Sequence, residues 1–385
     1  LEERVPMCGV PHHAVDIYID KLIKKGYKVA ICEQLEDPKN AKGIVKRDIT
    51  EIISSGSVIT TNSLNEKENN YIGSIYNLEY CYLLTYSDIT TGEIYSEIIE
   101  QNNELLINKV LFLGIKEIIA SSKVNIEIIS SLKNIYKLPI TITDELYNKD
   151  DYNYIFEDLT DKRYELGIKH LINYLTNVLK RNISHFQKVT IRKNNEYLKM
   201  DIHTKRNLEL TENFRNKERM YSLLWLLDET KTAMGSRKLK SWIEAPLVNA
   251  DEINERYNIV QKLLEEFILS EDLRKYLYEV YDLERLCGRI ALGSANAKDL
   301  IQLKESLKVL PSINEILKKL SWKELPDVSD LYDLLNKSLY ENPPQTLKEG
   351  YLIKAGYSKE LDELVDLRSG GKEFISKYEQ EEREK

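Results

Sequence analysis

The stretch YIGSIYNLEYCYLLTYSDITTGEIYSEIIE, residues 71–100, decides the fold. Three β-rich segments, 71–76, 80–90 and 93–99, are separated by the turn sequences NLE and TGE. Short connections of this kind join antiparallel neighbours. A helix is expected next, over about 103–113, and a strand at KEIIAS, residues 116–121. Strands followed by alternating helix and strand predict a mixed-sheet α/β domain, closed by the acidic stretch DELYNKDDYNYIFEDLTDKR. Upstream, TNSLNEKENN at 61–70 is polar and turn-rich and reads as a linker. Before it, Val15, Ile17, Tyr18, Leu22 and Ile23 fit one helical face, with Asp20 and Lys24 as an i,i+4 pair and Gly26 where a helix would end. YKVAIC and RDITEIISSGSVIT then read as strands, the second broken at Gly56. From about residue 164 the pattern is mainly helical, with one strand expected at NEYLKMD and breaks at Pro246, Pro311, Pro326 and Pro343–Pro344. The fold class is therefore multidomain, α/β plus mainly α, ending in an elongated helical bundle.

At 385 residues the chain is long enough for two or three domains. Its net charge of −8 argues mildly against a uniformly basic nucleic-acid binder, and leaves room for a local basic face. Cys8, Cys32, Cys81 and Cys287 are scattered and form no CxxC pair, which disfavours a zinc knuckle or a disulfide framework and suits a reducing cytosol. No apolar run approaches the roughly 18 residues of a membrane span, and the first residues do not resemble a signal peptide. A cytoplasmic location is expected.

Candidate chemistry is sparse. His12 and His13 are adjacent and point in different directions on a regular element, so they make a poor metal pair. His170, His185 and His203 lie far away in sequence. A histidine at a helix start can instead meet a phosphate beside exposed backbone N–H groups. KNAKGIVKRDIT puts Lys39, Lys42, Lys46 and Arg47 close together around Gly43, a cluster able to hold a nucleic-acid backbone or simply to be solvated. Asp88, before a tight turn, is a candidate metal ligand for a ribonuclease H-like nuclease. Partner carboxylates are not evident, and Asp is common before turns for local hydrogen bonding. No GxxxxGK[ST], GxSxG or HExxH sequence occurs, so no catalytic, nucleotide or metal site is expected in this chain.

Six blocks carry a resemblance: VPMCGVPHHAVDIYIDKLIKKGYKVAICEQLEDP, KGIVKRDITEIISSGSV, DIHTKRNLEL, AMGSRKLKSWIEAPL, DLERLCGRIALGSANAKDL and NPPQTLKEGYLIKAGYSKELDEL. In this order and spacing they resemble the MutS family of bacterial DNA mismatch-recognition proteins. The resemblance implies that 1–60 is the back half of a mismatch-reading domain. It makes 65–188 a ribonuclease H-like connector without a metal site, and 189–385 the core and lever helices up to the start of a clamp.

The family's Phe-x-Glu wedge motif and its ATPase domain are expected outside this chain, which would make it an internal, non-enzymatic fragment. The resemblance places Lys46, Arg47 and His13 beside DNA. It implies duplex DNA with mismatches or small loops and MutL as partners, and a homodimer for the full-length form with a monomer for this piece. ATP and Mg belong to the full-length form, with no cofactor in this chain. A nuclease centred on Asp88 is the alternative.

Overall fold

A computed structural model of the chain describes residues 7–11, 14–36, 45–59, 65–193, 196–344 and 349–383. It divides into two compact units, Leu1–Phe267 with Asp282–Ser294, and Ile268–Tyr281 with Ala295–Lys385. The first unit mixes helix and sheet, and the second is mainly helical.

The first unit begins with helix α1 (Val15–Lys24), and Gly26 follows with φ of 84°, a left-handed geometry that glycine adopts without strain. Strands β1 (Val29–Gln34) and β2 (Arg47–Ile53) pair antiparallel, from Val29 opposite Ile53 to Gln34 opposite Arg47. Ile19 and Ile23 are buried with Val58, and Val15, Val29, Ile31 and Ile53 pack around them. The buried stripe is therefore narrower than the expected face, because Ile17, Tyr18 and Leu22 are exposed. A two-stranded ribbon covers only the i, i+4, i+8 row of a helix.

Next come β3 (Tyr71–Asn77), β4 (Cys81–Asp88) and β5 (Glu93–Glu100), which form the expected meander. Helix α2 (Asn103–Leu113), β6 (Glu117–Ala120), α3 (Ile126–Ser130) and β7 (Ile140–Ile142) follow. Helix α4 (Arg163–Asn173) continues as a π-helical turn over Tyr174–Val178 and leads to β8 (Thr190–Ile191). The sheet order is β7-β6-β3-β4-β5-β8, with β4 antiparallel to both neighbours and the remaining pairs parallel.

Every residue of β4 is buried, because both faces of the sheet are covered. One apolar cluster joins Ile72, Ile94 and Ile119 to Ile168, Leu171 and Leu175 of the α4 side. The other joins Ile75, Leu84 and Ile118 to Leu106, Val110 and Ile128 of the α2 and α3 side. The expected strand at NEYLKMD is only a single bridge, Tyr197 to Leu247, and the sheet's last strand is β8 instead.

Helices α5 (Ile202–Asn207), α6 (Leu223–Leu227), α7 (Ala233–Glu244) and α8 (Ala250–Glu265) come next, followed by α9 (Phe267–Tyr278) and α10 (Leu283–Ala291). Asp201, Ser222, Thr232, Asn249 and Asp282 cap the N-termini of α5, α6, α7, α8 and α10, each side chain accepting a backbone N–H.

In the second unit, α11 (Ala297–Lys319) opens with a capping box of Asn296 and Asp299 and runs straight through Pro311. Pro311 thus does not break the helix as expected. Burial of Leu307, Val309, Ile313 and Ile316 offsets the cost of the missing N–H, about 3 kcal/mol. Helices α12 (Ser329–Ser338) and α13 (Lys359–Arg383) complete the unit. No described helix is long and apolar enough to cross a membrane.

Candidate nucleic-acid interface

The β1–β2 ribbon is partly covered at one end and exposed at the other. Ile52 and Ile53 lie partly covered, whereas Arg47, Asp48, Ile49 and Thr50 are exposed. Lys46 and Arg47 stand at the exposed end. The Lys46 carbonyl accepts from the Leu35 N–H at 3.0 Å, and its own N–H donates to Glu36 Oε1 at 2.6 Å, which fixes the backbone under both side chains. Both side chains are exposed, and Glu33, Glu36 and Asp48 share the same end, so the described tip is a mixed-charge surface. His12, His13, Lys39, Lys42 and Gly43 lie outside the described residues.

The ribbon's other end is anchored on the sheet. Lys28 Nζ pairs with Glu117 Oε1 at 2.8 Å and donates to Thr141 Oγ1 at 2.7 Å. The Tyr174 hydroxyl donates to the same Glu117 oxygen at 2.7 Å. Arg181 pairs with Glu51 and donates to the Ser57 carbonyl at 3.1 Å. The Ile52 N–H donates to the Leu179 carbonyl at 3.2 Å. These contacts leave the Lys46 and Arg47 end as the part of the ribbon turned away from its own support.

Asp88 does not fit the nuclease alternative. Its side chain is fully buried, and both oxygens are already taken by protein donors. Oδ1 accepts from the Thr90 N–H at 2.9 Å and the Thr90 hydroxyl at 2.6 Å. Oδ2 accepts from the Asn70 N–H at 2.9 Å and from Asn69 Nδ2 at 3.4 Å. The same Asn69 amide reaches Glu93 Oε2 at 3.2 Å, and burial raises the Glu93 pKa. No group of three His, Cys, Asp or Glu side chains positioned for a metal occurs among the described residues. Asp88 shapes the turn after β4, the local role open to an Asp at that position.

A second polar assembly escaped the sequence reading altogether. Residues 65–70, the second half of the expected linker, are gripped through their backbone. Arg285 of α10 donates Nη1 to the Asn65 carbonyl at 3.1 Å and Nη2 to the Glu68 carbonyl. Arg237 of α7 donates to the Glu66 carbonyl at 2.8 Å. It also forks onto Asp282 at 2.6 and 2.8 Å and reaches Glu284 at 2.6 Å. Burial alone would lower the Arg237 pKa, and these two carboxylates more than offset that.

Nearby, the buried Asp228 carboxylate meets Arg219, the Ser236 hydroxyl at 2.7 Å and Lys67 Nζ at 3.2 Å. Burial would raise its pKa, but the hydrogen bonds from Thr230, Ser236, Lys67 and Arg219 hold it well below the usual carboxylate range. Arg237 and Arg285 lie in two of the blocks that carry the family resemblance, AMGSRKLKSWIEAPL and DLERLCGRIALGSANAKDL, but nothing in those blocks points to residues 65–70 as their partner.

The family model for MutS domain I matches residues 1–62 and that for MutS domain III matches residues 203–384. The DNA mismatch repair protein MutS of Bacillus subtilis (strain 168) is 45% identical over 389 residues, covering 99% of this chain and 45% of the relative. MutS of Bacillus velezensis (strain DSM 23117 / BGSC 10A6 / LMG 26770 / FZB42) is 46% identical with the same coverage, and MutS of Geobacillus sp. (strain WCH70) is 42% identical, covering 100% and 45%. The chain spans less than half the length of these relatives. With domains I and III of one family matched in order and relatives aligned along almost its whole length, the chain belongs to the MutS family.

Proposed function

We propose that the chain is part of a DNA mismatch-repair protein, and that its α1–β1–β2 body meets duplex DNA through the Lys46 and Arg47 end of the ribbon. The observation that carries this reading is the ribbon itself. One end is pinned to the sheet by ion pairs in which Glu117 and Arg181 are the buried members, and the free end presents two exposed cations inside the segment matched by MutS domain I. Phosphate contacts of this kind position a protein on DNA without reading sequence.

In this reading the six-stranded sheet, residues 65–188, is the connector. Its strand order, with a three-strand meander flanked by parallel β6 and β7, supports a ribonuclease H-like fold in which Asp88 has a structural role. Residues 189–385 act as core and lever. MutL, a second copy of the chain, and ATP with Mg are assigned to the full-length form. The chain has no GxxxxGK[ST] sequence, so no nucleotide site is assigned to it. His13 joins the interface in the same reading.

Fluorescence anisotropy with a labelled G·T heteroduplex and its matched homoduplex, across a salt series, tests the proposal. Each lost phosphate contact removes roughly 0.9 from the slope of log K against log salt. The double change Lys46→Ala and Arg47→Ala is therefore expected to flatten the slope by about 1.8 on both duplexes. An unchanged slope would reject the ribbon tip as the contact.

A further inference from the structure

Arg237 and Arg285 enclose the same segment with different electrostatic support. Each side chain is about 95% buried. Arg237 is neutralised by Asp282 and Glu284. The terminal nitrogens of Arg285 donate to the main-chain carbonyls of Asn65 and Glu68. Its closest carboxylate oxygen among the described residues, Asp282 Oδ2, lies 3.9 Å from a buried Nε that makes no hydrogen bond. Burial lowers the Arg285 pKa, and the Asp88 and Asp282 carboxylates, neither hydrogen-bonded to its terminal nitrogens, offset this only in part.

The acceptors are backbone atoms, so the two arginine contacts do not use the side chains of residues 65–68, of which Lys67 adds a separate pair to Asp228. Those of Asn65, Glu66 and Lys67 are exposed. The segment and the arginine depend on each other. If the segment leaves, a buried cation loses both its acceptors, and if the guanidinium leaves, two carbonyls lose their donors.

Helix α10 has a second fixed point on the same structure. A Cβ at Gly288 would lie 2.1 Å from the Thr90 carbonyl oxygen, so the helix backbone rests directly on the turn after β4. That turn is built on Asp88, whose Oδ2 also accepts the Asn70 N–H. Helix, turn and segment thus form a closed ring of contacts.

We propose that residues 65–70 are a latch closed by Arg285, which makes α10 and the connection between the α1–β1–β2 body and the sheet open and close as one unit. A displacement of α10 therefore reaches the tether of the ribbon directly. This latch stands independently of DNA binding, because both of its partners lie within the chain.

Native-state hydrogen exchange on the full chain tests it. The amides of Glu68, bonded to the Asn65 carbonyl at 3.1 Å, and Leu286, bonded to the Asp282 carbonyl at 2.9 Å, report the two halves. In the wild type both should exchange through one opening with the same denaturant dependence. Arg285→Met should raise both rates by at least about tenfold, since two charge-assisted hydrogen bonds are lost. The β4 amides should not change. Arg285→Gln keeps neutral N–H donors and should retain part of the protection, and Glu66→Ala with Glu68→Ala should retain all of it. Unequal opening of Glu68 and Leu286 in the wild type, unchanged rates in Arg285→Met, or loss of β4 protection in that variant would each overturn the latch. Loss of protection in the double Glu variant would overturn its backbone character.

Discussion

Replacing Lys28 by Met keeps the aliphatic stem of the side chain and removes the cation that faces Glu117. The Glu117 side chain is fully buried, and its carboxylate is 2.8 Å from Lys28 Nζ. Breaking a buried pair by deleting one partner costs about 3–5 kcal/mol, because the remaining charge stays desolvated. Two features of the site reduce that figure. Lys28 is 34% exposed, so water already screens part of the attraction. Glu117 also retains the Tyr174 hydroxyl at 2.7 Å and the Gly56 N–H at 3.4 Å.

A loss of about 2 kcal/mol is the reasoned value, equivalent to about a 30-fold increase in local opening at 1.4 kcal/mol per decade. The Ile52 amide is the reporter, because its hydrogen bond to the Leu179 carbonyl joins β2 to the turn that extends α4. Adding Glu117→Gln removes the stranded charge, so the double variant should recover about 1 kcal/mol or more of the loss. A Lys28→Met effect under about threefold, or a double variant at or beyond the sum of the singles, would refute the view that this pair anchors the ribbon.

Three other outcomes are expected. Gly288→Ala gains about 1 kcal/mol of helix propensity at an ordinary helix position. Here the Cβ meets a backbone oxygen at 2.1 Å, so a net destabilisation of about 1–3 kcal/mol should appear in urea unfolding; a more stable variant would contradict the contact. Asp228→Asn removes the buried carboxylate that holds Arg219 and Lys67; those cations are 23% and 49% exposed, so water takes up part of the loss and a cost of about 1–2 kcal/mol is expected, read by fluorescence of the adjacent Trp225 during urea unfolding.

His185 donates Nε2–H to the Ile89 carbonyl at 2.7 Å, while its buried Nδ1 has no partner, and burial lowers its pKa. The unfolded chain therefore takes up a proton near pH 6.5 that the native state refuses until lower pH, so stability falls as pH drops below about 6.5. His170, also lowered by burial, contributes in the same direction. His185→Gln should make urea midpoints between pH 5 and 7 less pH-dependent, and an unchanged slope would show that His185 does not contribute.

Much of the first unit is readable along the chain because its signals are local. The meander of β3, β4 and β5 is announced by turns after two apolar runs, and Gly26 marks the end of α1. Helix starts are equally local, since Asp201, Thr232 and Asn249 satisfy N–H groups within three residues of themselves. The two exposed cations at the ribbon tip and the family blocks are likewise properties of short stretches.

Which surface each element covers is a different matter, because it depends on what lies opposite. Residues 65–70, part of the 61–70 stretch expected to be a linker, become a gripped segment only when Arg237 and Arg285 arrive from distant helices. Pro311 is carried inside α11 because the buried side chains around it outweigh one missing hydrogen bond. Asp88 has the residue type of a metal ligand and the surroundings of a turn-builder, since its neighbours are donors. Sequence by itself determined most of the elements, their order and the family, though not the strand expected at NEYLKMD or the passage of α11 through Pro311. Only the tertiary structure decided the partners of the buried charges, because desolvation makes a charge's cost depend on groups brought close by folding and not on its neighbours in the chain.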